Sequence, residues 1–160
     1  MKPSNEQVNK RLEEFKKTAK FLGFKLTHQR LEIFRIVAAS EEHPGADDVY
    51  RKLRASLPTI SLDTVYRTLW MLSDLGLLNR ITRCKGKYRF DANLSHHHHF
   101  SCSRCGLIRD FSNEELNNLP IPEEADQFGE SISIHVEVSG VCEKCLKKES
   151  RKEKKSINKE

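Results

Sequence analysis

Two Cys-x-x-Cys pairs, Cys102/Cys105 and Cys142/Cys145, bracket the second half of this 160-residue chain. The two-residue spacing makes a tight turn in which both thiolates and nearby backbone N–H groups converge on one ion. Two such turns close a tetrahedral four-thiolate site with no open position, which suits structural Zn2+. The pairs could also serve as redox dithiols, but no βαβ pattern surrounds either one. The N-terminus, Met1-Lys2-Pro3-Ser4-Asn5-Glu6-Gln7, has no apolar signal core. No apolar run approaches the ~20 residues of a membrane helix. A cytoplasmic protein is therefore expected, with no membrane partner and with thiols that ligate metal rather than pair as disulfides. The fifth cysteine, Cys84, has no sequence partner and reads as incidental.

A second donor set is chemically harder. His96-His97-His98-His99 is internal and runs directly into the first cysteine pair, so it is not a tag. On an extended strand His97 and His99 share a face and can chelate one ion, while His96 and His98 take the other face. Asp91 and Asp110 flank the run, and His43 lies at a chain break far upstream. Singly, each is an ordinary polar residue at a domain joint. Together they form a mixed imidazole and carboxylate set suited to Fe2+, Mn2+ or Zn2+, the carboxylates shifting preference towards the harder ions.

Charge is segregated along the chain. Residues 1–83 carry 15 basic and 10 acidic residues, 84–145 carry 6 and 10, and 146–160 carry 7 and 3. The first segment is thus the expected phosphate-binding surface. Its apolar residues recur at helical steps. Val8, Leu12, Phe15, Ala19 and Leu22 define a helix over 5–22, ended by Gly23. Thr27 caps a second helix carrying Leu31, Ile33, Phe34, Ile36 and Val37. After His43-Pro44-Gly45 a third helix begins with Ala46-Asp47-Asp48, buries Val49, Leu53 and Leu57, and stops at Pro58. Ser61 caps a fourth, with a core stripe of Leu62, Val65, Leu69 and Leu72, while Thr64, Tyr66, Arg67 and Thr68 lie mainly off that stripe. Gly76 ends it. Extended runs at 77–82 and 88–91 flank a basic turn and predict a hairpin. Helices followed by a basic hairpin predict a winged helix-turn-helix, its fourth helix entering the major groove with Tyr66 and Arg67 near phosphates or bases.

In the second half the period changes to two. Residues 100–102, 107–111 and 131–138 read as strands, with Ile132, Ile134, Val136 and Val138 alternating with polar residues. Residues 113–119 read as a short helix, and Pro120 and Pro122 as loop markers. The whole chain is therefore expected to be α+β: a winged helix-turn-helix DNA-binding domain over 1–91 and a small dimerisation and metal-binding domain over 92–146. A disordered basic tail is expected over 147–160. An alternating exposed sheet edge suits a homodimer formed by sheet extension. No base, nucleophile or substrate-pocket motif accompanies the His/Asp set, so a metalloenzyme is not expected, nor is a small-molecule substrate. A zinc-stapled interaction module without a DNA target would lack the steep salt dependence of DNA binding.

Over nearly its full length the chain resembles the Fur family of metal-dependent repressors. The resemblance rests on Leu26-Thr27-His28-Gln29-Arg30, His43-Pro44-Gly45-Ala46-Asp47, 61–69, Arg89-Phe90-Asp91, 96–105 and 140–145. It implies a homodimer on palindromic double-stranded operator DNA, with Cys102, Cys105, Cys142 and Cys145 as structural zinc ligands. It also implies His43, Asp91, His97, His99 and Asp110 as a regulatory Fe2+ or Mn2+ site of the kind found in the peroxide-sensing PerR branch. Lys25, Arg30, Ser61, Thr64, Tyr66 and Arg67 are the expected DNA contacts. Asp91 stands where iron sensors more often carry Glu, which favours hydrogen peroxide as the signal, with His43 and His97 as oxidation targets. Iron-uptake (Fur) and zinc-uptake (Zur) repressors are the alternatives. Some family members hold a third ion with His96, His98 and a histidine on the last long strand. His135 is displaced by one residue, which on a strand reverses the face, so that site is not carried over.

Overall fold

The computed structural model describes residues 3–84, 87–131 and 134–149. The chain divides into two compact units, Met1–Ser95 and His96–Glu160.

The first unit holds four helices, α1 (Asn5–Phe21), α2 (His28–Ala38), α3 (Ala46–Leu53) and α4 (Leu62–Asp74), then a hairpin of β1 (Asn79–Cys84) and β2 (Lys87–Asp91). Each helix start is set by a side chain that satisfies a backbone donor. Ser4 and Gln7 form a reciprocal capping box at α1. Thr27 accepts from the Arg30 amide at α2, and Ser61 from the Thr64 amide at α4. Gly23 and Gly76 follow α1 and α4 in left-handed conformations, at φ 66° and 69°, where a side chain would be strained. α3 stops at Leu53 instead of running on to Leu57. Residues 54–56 close it as a turn, the geometry expected where the residue before Pro58 disfavours the helical region.

The helices share one core. Phe15 and Phe34 stack at 4.0 Å between α1 and α2. Ile33, Val37, Val49, Leu53, Val65, Leu69, Leu72 and Phe90 are all buried around them. Three expectations need correction. Leu22 and Leu62 are exposed, because each sits at a helix end beyond the packed turns. Thr68 is buried instead of lying off the stripe, since it falls three residues after Val65 and four before Leu72. β1 and β2 pair antiparallel, Asn79 opposite Asp91 and Arg80 opposite Phe90, forming the expected wing. The turn at 85–86 and the Cys84 side chain lie outside the described residues.

The second unit contains β3 (His98–Cys102), β4 (Ile108–Phe111), the short helices α5 (Glu114–Asn117) and α6 (Glu123–Asp126), and β5 (Glu137–Gly140). The sheet order is β4-β3-β5, with β4 antiparallel and β5 parallel to β3. The last strand begins at Glu137, later than expected. Of the expected strand over 131–138, residues 132–133 lie outside the described residues, and 134–136 are not strand. α6 was not expected, because Pro120 and Pro122 read as a loop. Pro122 is its N-cap, a position that needs no amide donor. Residues 143–149 are helical. The first three residues of the expected tail therefore continue a helix, and the remainder, 150–160, lies outside the described residues. Among the described residues no helix is long and apolar enough to cross a membrane.

Leu69 is fully enclosed in the core of the first unit. Leu69→Ala is expected to lower the stability of that unit by about 2–5 kcal/mol in urea unfolding. A loss under about 1 kcal/mol would show that the site collapses around the missing methyl groups.

Candidate metal centres and nucleic-acid surface

The four-cysteine centre is assembled by strand register. β3 and β5 run parallel with Cys102 opposite Gly140, so both strands end together and both knuckles start from the same edge. The Ser103 amide donates to the Gly140 carbonyl at 2.9 Å and holds that edge closed. In the first knuckle the Gly106 amide donates to the Cys102 carbonyl at 2.9 Å, and in the second the Cys145 amide donates to the Cys142 carbonyl at 2.9 Å. All four Sγ atoms lie within 4.8 Å of one another. Cys105 and Cys142 sulfurs are 3.6 Å apart, and the Cys142 amide donates to the Cys102 sulfur at 3.3 Å.

Those amides govern the thiol chemistry. N–H groups of Cys105 and Cys142 bring the Cys102 thiol down to about 6. Hydrogen bonding to Cys142, then burial, pushes Cys145 up to about 12. Four crowded sulfurs cannot all ionise without a cation between them. The donor set and its convergence fit a thiophilic divalent ion such as zinc.

The histidine-rich set contributes within each unit separately. In the first unit His43 and Asp91 are both buried, with Nε2 and Oδ2 3.8 Å apart. Asp91 closes β2, and the Asn93 amide donates to its Oδ1 at 2.8 Å, which fixes the carboxylate. His43 adopts φ 47°, a left-handed conformation that costs a non-glycine residue about 1–3 kcal/mol and that the surroundings must hold. In the second unit His97 and His99 bring their Nε2 atoms to 3.0 Å. Both face Asp110, whose Oδ1 lies 3.7 Å from His97 and 3.4 Å from His99. Antiparallel register explains the meeting, since His99 is directly opposite Asp110 across β3 and β4. Two imidazole nitrogens and a carboxylate aimed at one point are the donors a cation of intermediate hardness takes.

The other two histidines of the run sit elsewhere, His98 as the first residue of β3 and His96 just before it. His98 is fully buried, with neither ring nitrogen hydrogen-bonded, and packs edge-on against His96 at 5.1 Å. His96 meets the Asn117 side chain and the Ile134 carbonyl, both at 3.1 Å. The His135 ring stacks on His96 at 5.9 Å. Face reversal does not apply to His135, because it precedes β5.

On α4, Tyr66 is exposed and stacks on Trp70 at 6.2 Å, while Arg67 extends into solvent with Asp63 3.8 Å away. Lys25 is exposed. Ser61 and Thr64 bond each other within the α4 cap. Arg30 lies over the Phe24 ring and donates to the Lys25 carbonyl at 2.6 Å, so its guanidinium is already engaged. Between the start of α2 and α4 lies an open cleft of about 450 Å3, lined by Thr27, Gln29, Arg30, Asp63, Thr64 and Arg67 among others. Gln29 was missed as a surface residue of this cleft, since a polar residue in a first helical turn carries no distinguishing sequence signal.

The sequence profile of the ferric uptake regulator family matches residues 22–138. The chain belongs to the ferric uptake regulator family. Over 145 residues it is 33% identical to the peroxide-responsive repressor PerR of Staphylococcus aureus (strain Mu50 / ATCC 700699), covering 89% of this chain and 97% of that protein. The ferric uptake regulator of Francisella tularensis, solved with iron, is 28% identical with a TM-score of 0.62, covering 78% of this chain and 96% of that one. The Helicobacter pylori ferric uptake regulator shares the fold with a TM-score of 0.69 at 22% identity, covering 91% of this chain and 97% of that one. As a family member the chain is a metal-binding regulator type with an α+β fold.

Because Cys102 already ionises near pH 6, zinc uptake by the zinc-free protein at pH 7 should release fewer than four protons per ion. A pH indicator in weakly buffered solution counts them, and a count of four would show that Cys102 is protonated.

Proposed function

We propose that this protein is a metal-dependent, peroxide-responsive transcriptional repressor, cytoplasmic, acting as a homodimer on palindromic operators. In this reading Cys102, Cys105, Cys142 and Cys145 hold a structural Zn2+. One Fe2+ or Mn2+ draws ligands from both half-sets, His43 and Asp91 with His97, His99 and Asp110. The observation that carries it is the pairing of imidazole and carboxylate donors, buried at His43, Asp91 and His97, with Asp rather than Glu at position 91, in a chain 33% identical to a peroxide-responsive repressor.

An Fe2+ ion held there would supply electrons to reduce hydrogen peroxide, and His43 and His97 are the side chains expected to take up oxygen. The residues themselves do simpler work. Asp91 and Asp110 supply negative charge that holds the ion. Loss of a histidine ligand lowers affinity for the metal and, by linkage, for DNA. Exposed Tyr66 and Arg67 on α4 are the proposed groove contacts, and Lys25 a phosphate contact. Ser61 and Thr64 act through the helix cap, and Arg30 by bracing the turn at Lys25. The exposed outer edge of β5 is the proposed route to sheet extension in the dimer.

An iron-uptake repressor is the second reading, favoured by the iron-bound Francisella tularensis neighbour; a zinc-uptake regulator is the third. Anaerobic protein loaded with one Fe2+ per subunit and treated with equimolar peroxide separates them. Peptide mass spectrometry is expected to find added oxygen on His43 or His97, with loss of operator binding. Clean histidines with DNA binding retained would assign the protein to metal uptake.

Arg67→Ala should weaken affinity for an operator selected from genomic fragments by about 1–3 kcal/mol while leaving both metal contents unchanged. Unchanged affinity would remove Arg67 from the interface.

A further inference from the structure

One face of β2 forms a ladder onto His43 and the first turn of α3. Alternate residues of a strand share a face, and Lys87, Arg89 and Asp91 each reach a partner there. Lys87 Nζ lies 2.5 Å from Asp47 Oδ2, Arg89 Nη1 lies 2.7 Å from Asp48 Oδ2, and Asp91 lies 3.8 Å from His43. The main chains are laced as well, with the Phe90 amide donating to the Pro44 carbonyl at 3.2 Å. At Gly45 a side-chain carbon would sit 3.2 Å from the Tyr88 carbonyl, so the loop lies directly on the strand.

Asp48 is the knot of this lacing. Its Oδ2 accepts both the Gly45 amide, at 3.1 Å, and the Arg89 guanidinium, while its Oδ1 accepts from Arg51. Gly45 is two residues from His43, and Arg89 is two residues from Asp91. One carboxylate oxygen therefore ties together the backbones that carry the two donors. Burial pushes the Asp48 carboxyl up, but the Gly45 amide, Arg51 and Arg89 outweigh it and hold it below the ordinary range. The pair is only 27% and 30% exposed, which limits screening by water. The left-handed backbone at His43 needs restraint from its surroundings, and this clasp fixes the chain two residues away from it and ties it to β2.

We propose that Asp48 and Arg89 are positioning residues for the regulatory metal: they hold the His43 and Asp91 side chains in ligating geometry and so set the affinity of that centre. The inference rests on the metal-site reading given under Proposed function. Groups that orient metal ligands typically change affinity 10–100-fold when removed.

The test uses zinc-loaded full-length protein titrated with Mn2+, with zinc content and thermal melting measured in parallel. Asp48→Asn keeps an acceptor for Gly45 but removes the charge that holds Arg89, and Arg89→Gln removes the other partner. Each is expected to weaken Mn2+ binding about 10–100-fold with one full complement of zinc retained. The double variant should be no weaker than either single one, since both changes break the same clasp. Arg89→Lys should recover part of the affinity. His43→Ala is the control for the site itself. If His43→Ala leaves Mn2+ affinity unchanged, the metal-site reading fails. If His43→Ala weakens binding but Asp48→Asn and Arg89→Gln lower only the melting temperature, the two residues are merely structural and this inference is overturned. Should Asp48→Asn not fold, Arg89→Gln and Arg89→Lys decide the question alone.

Discussion

The second unit depends on the parallel register of β3 and β5. A three-stranded sheet with two four-residue helices and a short helix at 143–149 buries little apolar surface, and its buried hydrophobic residues among those described are few. Small domains of that kind need a covalent or metal staple. Setting Cys102 opposite Gly140 makes both strands finish at one level, so two local turns separated by 37 residues or more bring four sulfurs together. Shift β5 by one residue and the second knuckle would leave the first. On the proposed reading metal and register support each other: a zinc ion would be held only in this register, and the register would be secured by the ion. The same β3 carries His99 towards Asp110 on its other side neighbour, so the strand that anchors the sulfur centre also aligns half of the nitrogen and oxygen centre.

Much of this was legible in the sequence because the signals are local. Thr27, Ser61, Gly23 and Gly76 mark helix ends through hydrogen bonds and backbone conformations that span a few residues. The pairing of His97 with His99 was expected from strand alternation, and it forms although His97 lies one residue before β3. The Cys-x-x-Cys spacing carries its own turn. What escaped the sequence depends on contacts between distant segments. The start of β5 is decided by where β3 begins its pairing, with Glu137 opposite His99, so a pattern of alternating residues overestimated it. Thr68 is buried because it falls on the stripe of Val65 and Leu72, a position its polar side chain did not announce. Leu22 and Leu62 obey helical periodicity yet lie past the packed turns.

The Asp48–Arg89 pair is the sharpest case. Its members are 41 residues apart, and each has an adequate local explanation. Asp48 reads as a favourable acid in the first turn of α3, beside the helix dipole, and Arg89 as one more cation of a basic wing. Only the fold shows that they meet, and that they meet on the backbone next to His43 and Asp91. The residues proposed to bind metal were readable from their chemistry. The residues that aim them were not, because aiming is a property of the tertiary structure.

On the proposed reading, the division of ligands between two units has an energetic consequence. Neither half-set offers the donors an intermediate or hard cation requires: His43 and Asp91 supply two, and His97, His99 and Asp110 supply three. An ion that needs both sets binds well only in those arrangements of the chain that present them together, and its binding free energy accrues to those arrangements alone. Turning a 1:99 population into 99:1 takes about 5.5 kcal/mol of differential affinity, which a metal ion gaining several ligands can supply. Removing a single imidazole subtracts from that difference directly. A centre built from two incomplete halves is for this reason sensitive to damage at one ligand, whereas the four-thiolate centre, complete within one unit, is suited to permanent occupation.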